Sequence, residues 1–490
     1  MKRITFKVFK DILFRFQAVV IVTCALLSFQ VSSAQVSEHS DSILIGNWLG
    51  ALNNEVHVYY EISIKWDGSL MGYNGIIEFK MSGGPVEVVT LVRDSVYFKE
   101  LESNQRYSGI LNSDSMIIRG KYANLNINQS WPLTLKRIAQ LPVIVRPQTP
   151  LRPFPYKEEN VVYENKMAGI HLAGTLTLPN TKGPFPAAIL ITGSGQQNRD
   201  YEHSFHRPFL VLADFLTKQG IAVLRVDDRG VGGTTRTGPF FNSTTKDFAS
   251  DVLAGVQYLR TRKEIDSGKI GLIGHSEGGL IASMVATDIP EISYIVLMAS
   301  PAGGKFSEGI IAQDSVTARA GGANDHETVV ILNWCKRYYS IALNEKDICI
   351  AREKLQRLFD DRTPEEKQAF EKTGVSGGTL SVDYALQPHF QYLCSINPDD
   401  FLRRVKCPVL ALMGDKDVSG PCTLTLKAME AAFKTAGNMN YSIHEMKNMN
   451  HFFQTVNPDN IKNSEDIDET ISPIVLDLVS SWIKNQMFNR

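Results

Sequence analysis

The feature that most constrains this chain is residues 269–279, where the apolar run Ile270-Gly271-Leu272-Ile273 stops abruptly in Gly274-His275-Ser276-Glu277-Gly278. Such a run reads as a buried strand, and its glycine-flanked end as a sharp turn into a helix that leaves the central side chain at the strand's C-terminal edge. The glycines fit because a turn this tight brings backbone against the central residue, where a Cβ would collide. Ser276 is therefore the candidate nucleophile. The pattern fixes only three of five positions, so the rest of the chain has to supply partners for it.

At 490 residues the chain exceeds one ordinary domain, and a prior of about 150 residues per domain predicts two or three. With 43% hydrophobic and 21% charged residues, its composition is globular. A formal net charge of -1 supplies no electrostatic reason for nucleic acid or an anionic membrane surface as partner. Residues 1–34 read as a signal peptide. Lys2, Arg3, Lys7, Lys10 and Arg15 precede the apolar run 18–29, and Ser32 and Ala34 suit cleavage before Gln35. The run is shorter than the ~20 residues that span a bilayer, which predicts an exported protein, periplasmic or secreted, over a retained anchor. Cys24 follows Thr23, a poor fit to the small residue that lipoprotein processing wants. Cleavage leaves Cys335, Cys349, Cys394, Cys407 and Cys422, an odd count without a C-x-x-C pair or a histidine cluster, which argues against zinc. Buried free thiols are expected, with one disulfide within residues 335–394 as the alternative.

Residues 36–140 are predicted to form a small all-β domain. Period-two stretches such as Val56-His57-Val58-Tyr59-Tyr60-Glu61-Ile62 alternate with turn signals such as Ser82-Gly83-Gly84, enough for about six to eight strands in a barrel or sandwich. Trp48, Trp66 and Trp131 are candidates for a carbohydrate-binding platform, with core packing as the commoner fate of aromatics at strand spacing. Residues 141–157, with Pro142, Pro147, Pro150, Pro153 and Pro155, read as an extended linker.

From residue 158 to 488 the pattern changes to strand and helix in alternation. A hairpin at 161–178 precedes strands at 187–192, 222–226, 270–273, 294–298, 409–413 and 441–445, with helices at 207–218, 246–262, 278–287, 423–436 and 473–485. That alternation implies a parallel sheet covered on both faces, with functional loops gathered at the strands' C-terminal ends. Residues 304–404 interrupt it with helix formers and no strand, which predicts a helical lid over the site, or alternatively a separate helical domain.

A serine hydroxyl is a weak nucleophile and needs a base to take its proton and a third group to orient that base. In sheets of this class the chain order is serine, acid, histidine. The strand at 409–413 ends in Gly414-Asp415-Lys416-Asp417, which offers Asp417, with Asp415 as competitor. Of ten histidines, only His451 follows the last predicted strand and precedes the last helix. The oxyanion needs preorganised donors: the backbone N–H of Glu277 is one, and the backbone of Ser194 is assigned as the other, with Gly195 as runner-up. The glycines of that loop do not form a G-x-x-x-x-G-K-[ST] phosphate cradle.

Residues 158–488 resemble the α/β-hydrolase superfamily and, within it, the EstD-type bacterial esterases. The resemblance is carried by Thr192-Gly-Ser-Gly-Gln-Gln-Asn-Arg-Asp200, Leu224-Arg-Val-Asp-Asp-Arg-Gly-Val-Gly232, Gly274-His-Ser-Glu-Gly278, Gly414-Asp-Lys-Asp417 and Asn450-His451. Gln197 and Asn198 stand where the family often has Pro and Asp, which bears on substrate detail more than on the triad. The family spacing favours Asp417 over Asp415, and Asp227, Asp228 and Arg229 are read as structural bracing. The resemblance implies an α/β protein, an α/β-hydrolase fold with a helical lid insertion preceded by the small all-β domain. It further implies a serine esterase that cleaves small-molecule carboxylic esters of short to medium acyl length through an acyl-enzyme, without metal or organic cofactor. Two alternatives stay open. One is a serine peptidase of the prolyl oligopeptidase-like or serine aminopeptidase-like groups, with Glu345, Asp347, Asp360 and Asp361 available to hold a substrate ammonium. The other is a non-catalytic surface protein whose β domain binds carbohydrate.

Overall fold

The computed structural model describes residues 41–488, apart from 53–55, 66–67, 78–80, 87, 101–104, 125–128, 142–145, 239–241, 374–379 and 458–465. The proposed signal peptide and Trp66 lie outside the described residues. The chain divides into two compact units, residues 1–144 with 377–384, and residues 145–376 with 385–490.

In the first unit nine antiparallel strands follow one another from Gly46 to Ile138, and the first pairs with the last through Asn47↔Ile138 and Leu49↔Lys136. This up-and-down arrangement has more strands than the expected six to eight. The fourth and fifth, Met81–Val86 and Val88–Val92, are too short and too closely spaced to count separately by periodicity. Trp48, Tyr60, Phe98, Tyr107 and Leu135 fill the interior. Trp48 is wholly buried and donates its indole N–H to the Leu44 carbonyl at 2.8 Å, which removes it from any surface sugar platform. Trp131 is half-buried and packs against Tyr122.

The second unit carries an eight-stranded sheet: β1 (Lys157–Asn165), β2 (Ile170–Leu178), β3 (Phe185–Ile191), β4 (Ala222–Val226), β5 (Ile265–His275), β6 (Ile295–Met298), β7 (Val409–Gly414) and β8 (Tyr441–Met446). Its spatial order is β1-β2-β4-β3-β5-β6-β7-β8, antiparallel only where β2 meets β1 and β4. The inner strands read as continuous apolar runs because both faces are covered. Ala187, Ile189 and Ile191 face α2 (Thr245–Arg260), α3 (Glu277–Asp288) and, further along, α9 (Cys422–Ala436). Ala188 and Leu190 face the opposite layer, α1 (Pro208–Lys218) and α10 (Pro473–Phe488).

Between β6 and β7 the chain forms α4 (Phe306–Ala320), α5 (Asp325–Asn344), α6 (Ile348–Asp360), α7 (Pro364–Thr373) and α8 (Pro388–Ser395), with single turns at Val382–Ala385 and Asp399–Leu402. The insertion is tied to the rest of its unit: Leu393 and Ile396 pack on Leu280 and Met284 of α3. The proline-rich stretch read as a linker is, from Arg146 onward, docked on the α/β unit. Arg146 is 1% exposed and donates to the Ser204 carbonyl at 2.9 Å, and Gln148 donates to the Ile471 carbonyl at 2.7 Å. Proline content reports the extended backbone but not the side chains that anchor it. All five described cysteines are free; Cys335, Cys394 and Cys422 are buried as expected, while Cys407 is half-buried and Cys349 exposed. Among the described residues no helix is long and apolar enough to cross a membrane.

Candidate active site

Ser276 sits between β5 and α3 with φ 54° and ψ -123°, a conformation rarely adopted by a residue with a Cβ. Close packing enforces it. A Cβ on Gly274 would run into the Gly278 carbonyl, and one on Gly278 into the Ile191 carbonyl, so the turn closes only with glycine at both places. Serine at a helix N-cap ordinarily accepts a bond from the first turn. Here the backbone turns the side chain away, and Ser276 makes no capping bond, which leaves its hydroxyl available for chemistry.

The loop after β3 passes beside the elbow. A Cβ on Gly193 would lie 3.0 Å from the Ser276 Cβ, so this loop runs close beside Ser276. Ser194, next along the loop, donates its Oγ–H to Glu277 Oε2 at 2.6 Å. Asp228 accepts from Thr192 Oγ1 at 3.1 Å and from the Gln197 N–H at 2.8 Å, and Asp227 pairs with Arg199 at 2.6 Å. Arg229 pairs instead with Asp251 at 2.7 Å. These residues brace the loop. Burial pushes the Asp228 carboxyl well above the usual carboxylate range, more than the bonds from Gln197 and Thr192 pull it down. A cavity of about 60 Å³ under the loop, lined in part by Gly193, Asp228, Phe248 and Ile281, has room for a few waters rather than a substrate.

Asp417 and His451 are brought together: His451 Nδ1–H donates to Asp417 Oδ2 at 2.8 Å, and Asp417 Oδ1 accepts the Ser419 N–H at 2.7 Å. Burial opposes ionisation of Asp417, but the His451 hydrogen bond and charge outweigh it and hold the carboxyl below its ordinary range. Asp415 faces elsewhere, accepting the Asn448 N–H at 2.6 Å and bracing the histidine loop. That loop is closed by Asn450, whose Oδ1 accepts from the Phe452 and Gln454 N–H groups at 3.0 Å each. Among the described residues Ser276 Oγ makes no hydrogen bond.

His275, next to the serine in the elbow, ties the parts together. Its ring lies 4.6 Å from that of His451, and its Nε2–H donates to the His451 carbonyl at 2.8 Å. Nδ1 must then be the acceptor, and it takes the Tyr201 O–H at 3.0 Å, while the Tyr201 oxygen accepts the Gly193 N–H. One neutral imidazole thus links loop, elbow and histidine turn. Burial is the main cause that lowers the His275 pKa to about 3. The unfolded chain therefore takes up a proton near pH 6.5 that the folded chain refuses, and stability falls as pH drops from about 6.5 toward 3. His275 alone is expected to cost about 2–3 kcal/mol between pH 7 and 4.5. Urea unfolding of the α/β unit at those two pH values checks this. A His275→Gln variant should lose that part of the difference, and an undiminished difference would assign the acid sensitivity elsewhere.

Glu277, expected to matter only for its backbone, is 2% exposed. Besides Ser194 it accepts from Thr245 Oγ1 at 2.7 Å and from His389 Nε2 at 2.9 and 3.0 Å. Burial works against its charge, but the His389 charge and the bonds from His389, Ser194 and Thr245 leave its carboxyl below the usual range. The sequence carried one signal of this role: Glu277 opens a helix otherwise free of charge until Asp288 and buried nearly throughout. Three of the four lid acids that a peptidase reading would use have other work. Glu345 pairs with Lys354, Asp347 caps α6, and Asp360 accepts from Gln356. Among the described residues no group of three or more His, Cys, Asp or Glu is placed to hold a metal ion.

A mostly parallel sheet in this order, with a serine elbow after β5 and an acid and a histidine after β7 and β8, is the α/β-hydrolase fold. Residues 202–320 match the family model described as serine aminopeptidase, S33, a stretch that includes Ser276 but ends before Asp417 and His451. The chain is 28% identical over 183 residues to the esterase EstD of Thermotoga maritima, a match that spans 37% of this chain and 39% of that esterase. The chain is thus similar to that esterase over part of its α/β unit. Looser likenesses are to the Pyrococcus furiosus esterase PF2001 (16% identity, 71% of this chain and 98% of that one, TM-score 0.40) and to Est1E from Butyrivibrio proteoclasticus (18% identity, 67% and 98%, TM-score 0.37).

Proposed function

We propose that this protein is an exported serine hydrolase that cleaves carboxylic esters of short to medium acyl length. His451 takes the Ser276 proton as the hydroxyl attacks the ester carbonyl, Asp417 orients the imidazole and stabilises its cation, and the backbone N–H groups of Ser194 and Glu277 receive the oxyanion. The alcohol leaves with the proton from His451. Water, activated by the same histidine, then releases the acid and frees the serine. The observation that carries the reading is the 2.8 Å Asp417–His451 bond on a turn that His275 holds against the strained Ser276 elbow. The likeness to an esterase supports an ester substrate. Export rests on residues 1–34.

The family description favours aminopeptidase activity as the second reading. One experiment separates the two: the protein secreted from its full-length gene, whose N-terminus is expected at Gln35, is assayed on p-nitrophenyl esters of rising acyl length beside aminoacyl amides. Turnover of short esters with little amide cleavage is the expected result. Robust cleavage of amides bearing a free amine, lost on acetylation, would put the peptidase first.

A further inference from the structure

Both oxyanion donors assigned above converge on one buried side chain. Glu277 supplies the first donor from its backbone, and its carboxylate holds the Ser194 side chain at 2.6 Å, the residue whose backbone supplies the second. The same carboxylate is bonded by Thr245 from the N-terminus of α2 and by His389 from lid helix α8. A carboxylate this deeply buried is costly unless every oxygen finds donors, and these donors come from three separate stretches of chain. Its position in the first turn of α3 is favoured by the helix dipole. The helix itself does not need it, since α3 is otherwise an apolar helix with its face against the sheet.

Helix α8 is in turn fixed to the lid. Gln391 donates to the Ala342 carbonyl of α5 at 3.0 Å, and Phe390 stacks on Tyr339 with ring centroids 6.1 Å apart. His389 therefore connects the lid's own core to the elbow. If α8 is not seated, Glu277 loses one of its three donors, and the loop carrying Ser194 loses the rigid partner that sets its distance from the elbow.

We propose that the Glu277 carboxylate is a positioning residue that sets the spacing of the two oxyanion donors, and that His389 makes this spacing depend on the seating of lid helix α8. The proposal rests on the serine hydrolase reading. Oxyanion donors act only when they are correctly placed, and a misplacement of about 1 Å costs up to ~10²-fold in rate. The effect belongs in kcat, because the oxyanion exists in the transition state and not in the bound ester.

The test uses the full mature protein with Ser194→Ala, His389→Phe and His389→Gln, alongside Ser276→Ala, and p-nitrophenyl acetate as substrate. The first two are expected to lower kcat by ~10- to 10²-fold with KM within about threefold. They should weaken, by a similar factor, inhibition by a trifluoromethyl ketone, whose serine adduct carries an oxyanion. His389→Gln, which keeps a donor, should recover part of the loss. Ser194→Ala leaves the backbone donor in place and the histidine pair intact, so it remains informative where larger changes unfold the chain. A lowered Tm with unchanged kcat and unchanged ketone inhibition would overturn the proposal. So would a rise in KM with kcat unaltered. If Ser276→Ala abolishes turnover while Ser194→Ala and His389→Phe match the wild type, the hydrolase reading stands and this proposal falls. If Ser276→Ala keeps its turnover, the hydrolase reading itself falls.

Discussion

Ser276→Ala is expected to lower kcat on a short p-nitrophenyl ester by about 10⁵- to 10⁶-fold while changing KM by no more than a few fold. The size follows from the division of labour. Without the hydroxyl no acyl-enzyme forms, and what remains is the acceleration that the oxyanion donors and binding alone give to attack by water. The substitution is structurally mild. Alanine keeps the Cβ against which the Gly193 backbone packs, and serine already tolerates φ 54° here, so no new strain is introduced. The serine makes no capping bond whose loss would destabilise α3. Tm should therefore shift little, and steady-state kinetics beside a thermal melt check both halves. Turnover surviving in the alanine variant would remove Ser276 as nucleophile.

The parts of the α/β unit that were legible in the sequence are those where burial on both faces turns a strand into an uninterrupted apolar run. The strand expected at 409–413 is Val409–Gly414, and that at 222–226 is Ala222–Val226. The positions of Ser276, Asp417 and His451 were legible for a related reason. Each stands just past such a strand, where the chain leaves the core at the sheet's C-terminal edge. What could not be read was side-chain placement that depends on sequence-distant partners. The Tyr201–His275–His451 chain joins residues 74 and 176 positions apart, and the Glu277–His389 pair spans 112. No local pattern encodes such contacts. A histidine in an elbow and a glutamate opening an apolar helix are unusual only when the burial of that turn is known. The docking of Arg146 escaped for the same reason, since a proline-rich composition describes the backbone and says nothing of an arginine inserted between two loops.

Asp417→Asn is expected to lower kcat by about 10⁴-fold, and the hydrogen bonds around it show why an isosteric change costs so much. The Ser419 N–H points at Oδ1, so the asparagine carbonyl oxygen is held there and its NH₂ is left facing His451. An NH₂ donates where the carboxylate accepted, so it stabilises the tautomer with Nδ1 bare and Nε2 protonated. That tautomer cannot accept the Ser276 proton. Asp415→Asn is the matched control. Its carboxylate braces the histidine turn through the Asn448 N–H, an acceptor role that an asparagine carbonyl can keep, so a loss of no more than about tenfold is expected. Because Asp417 is held below the usual carboxylate range, the acid limb of kcat/KM in the wild type should not report this carboxyl. Measuring kcat/KM against pH for the two variants decides the assignment. A larger loss in Asp415→Asn than in Asp417→Asn would transfer the role of orienting acid to Asp415 and leave the 2.8 Å Asp417–His451 bond as a structural contact.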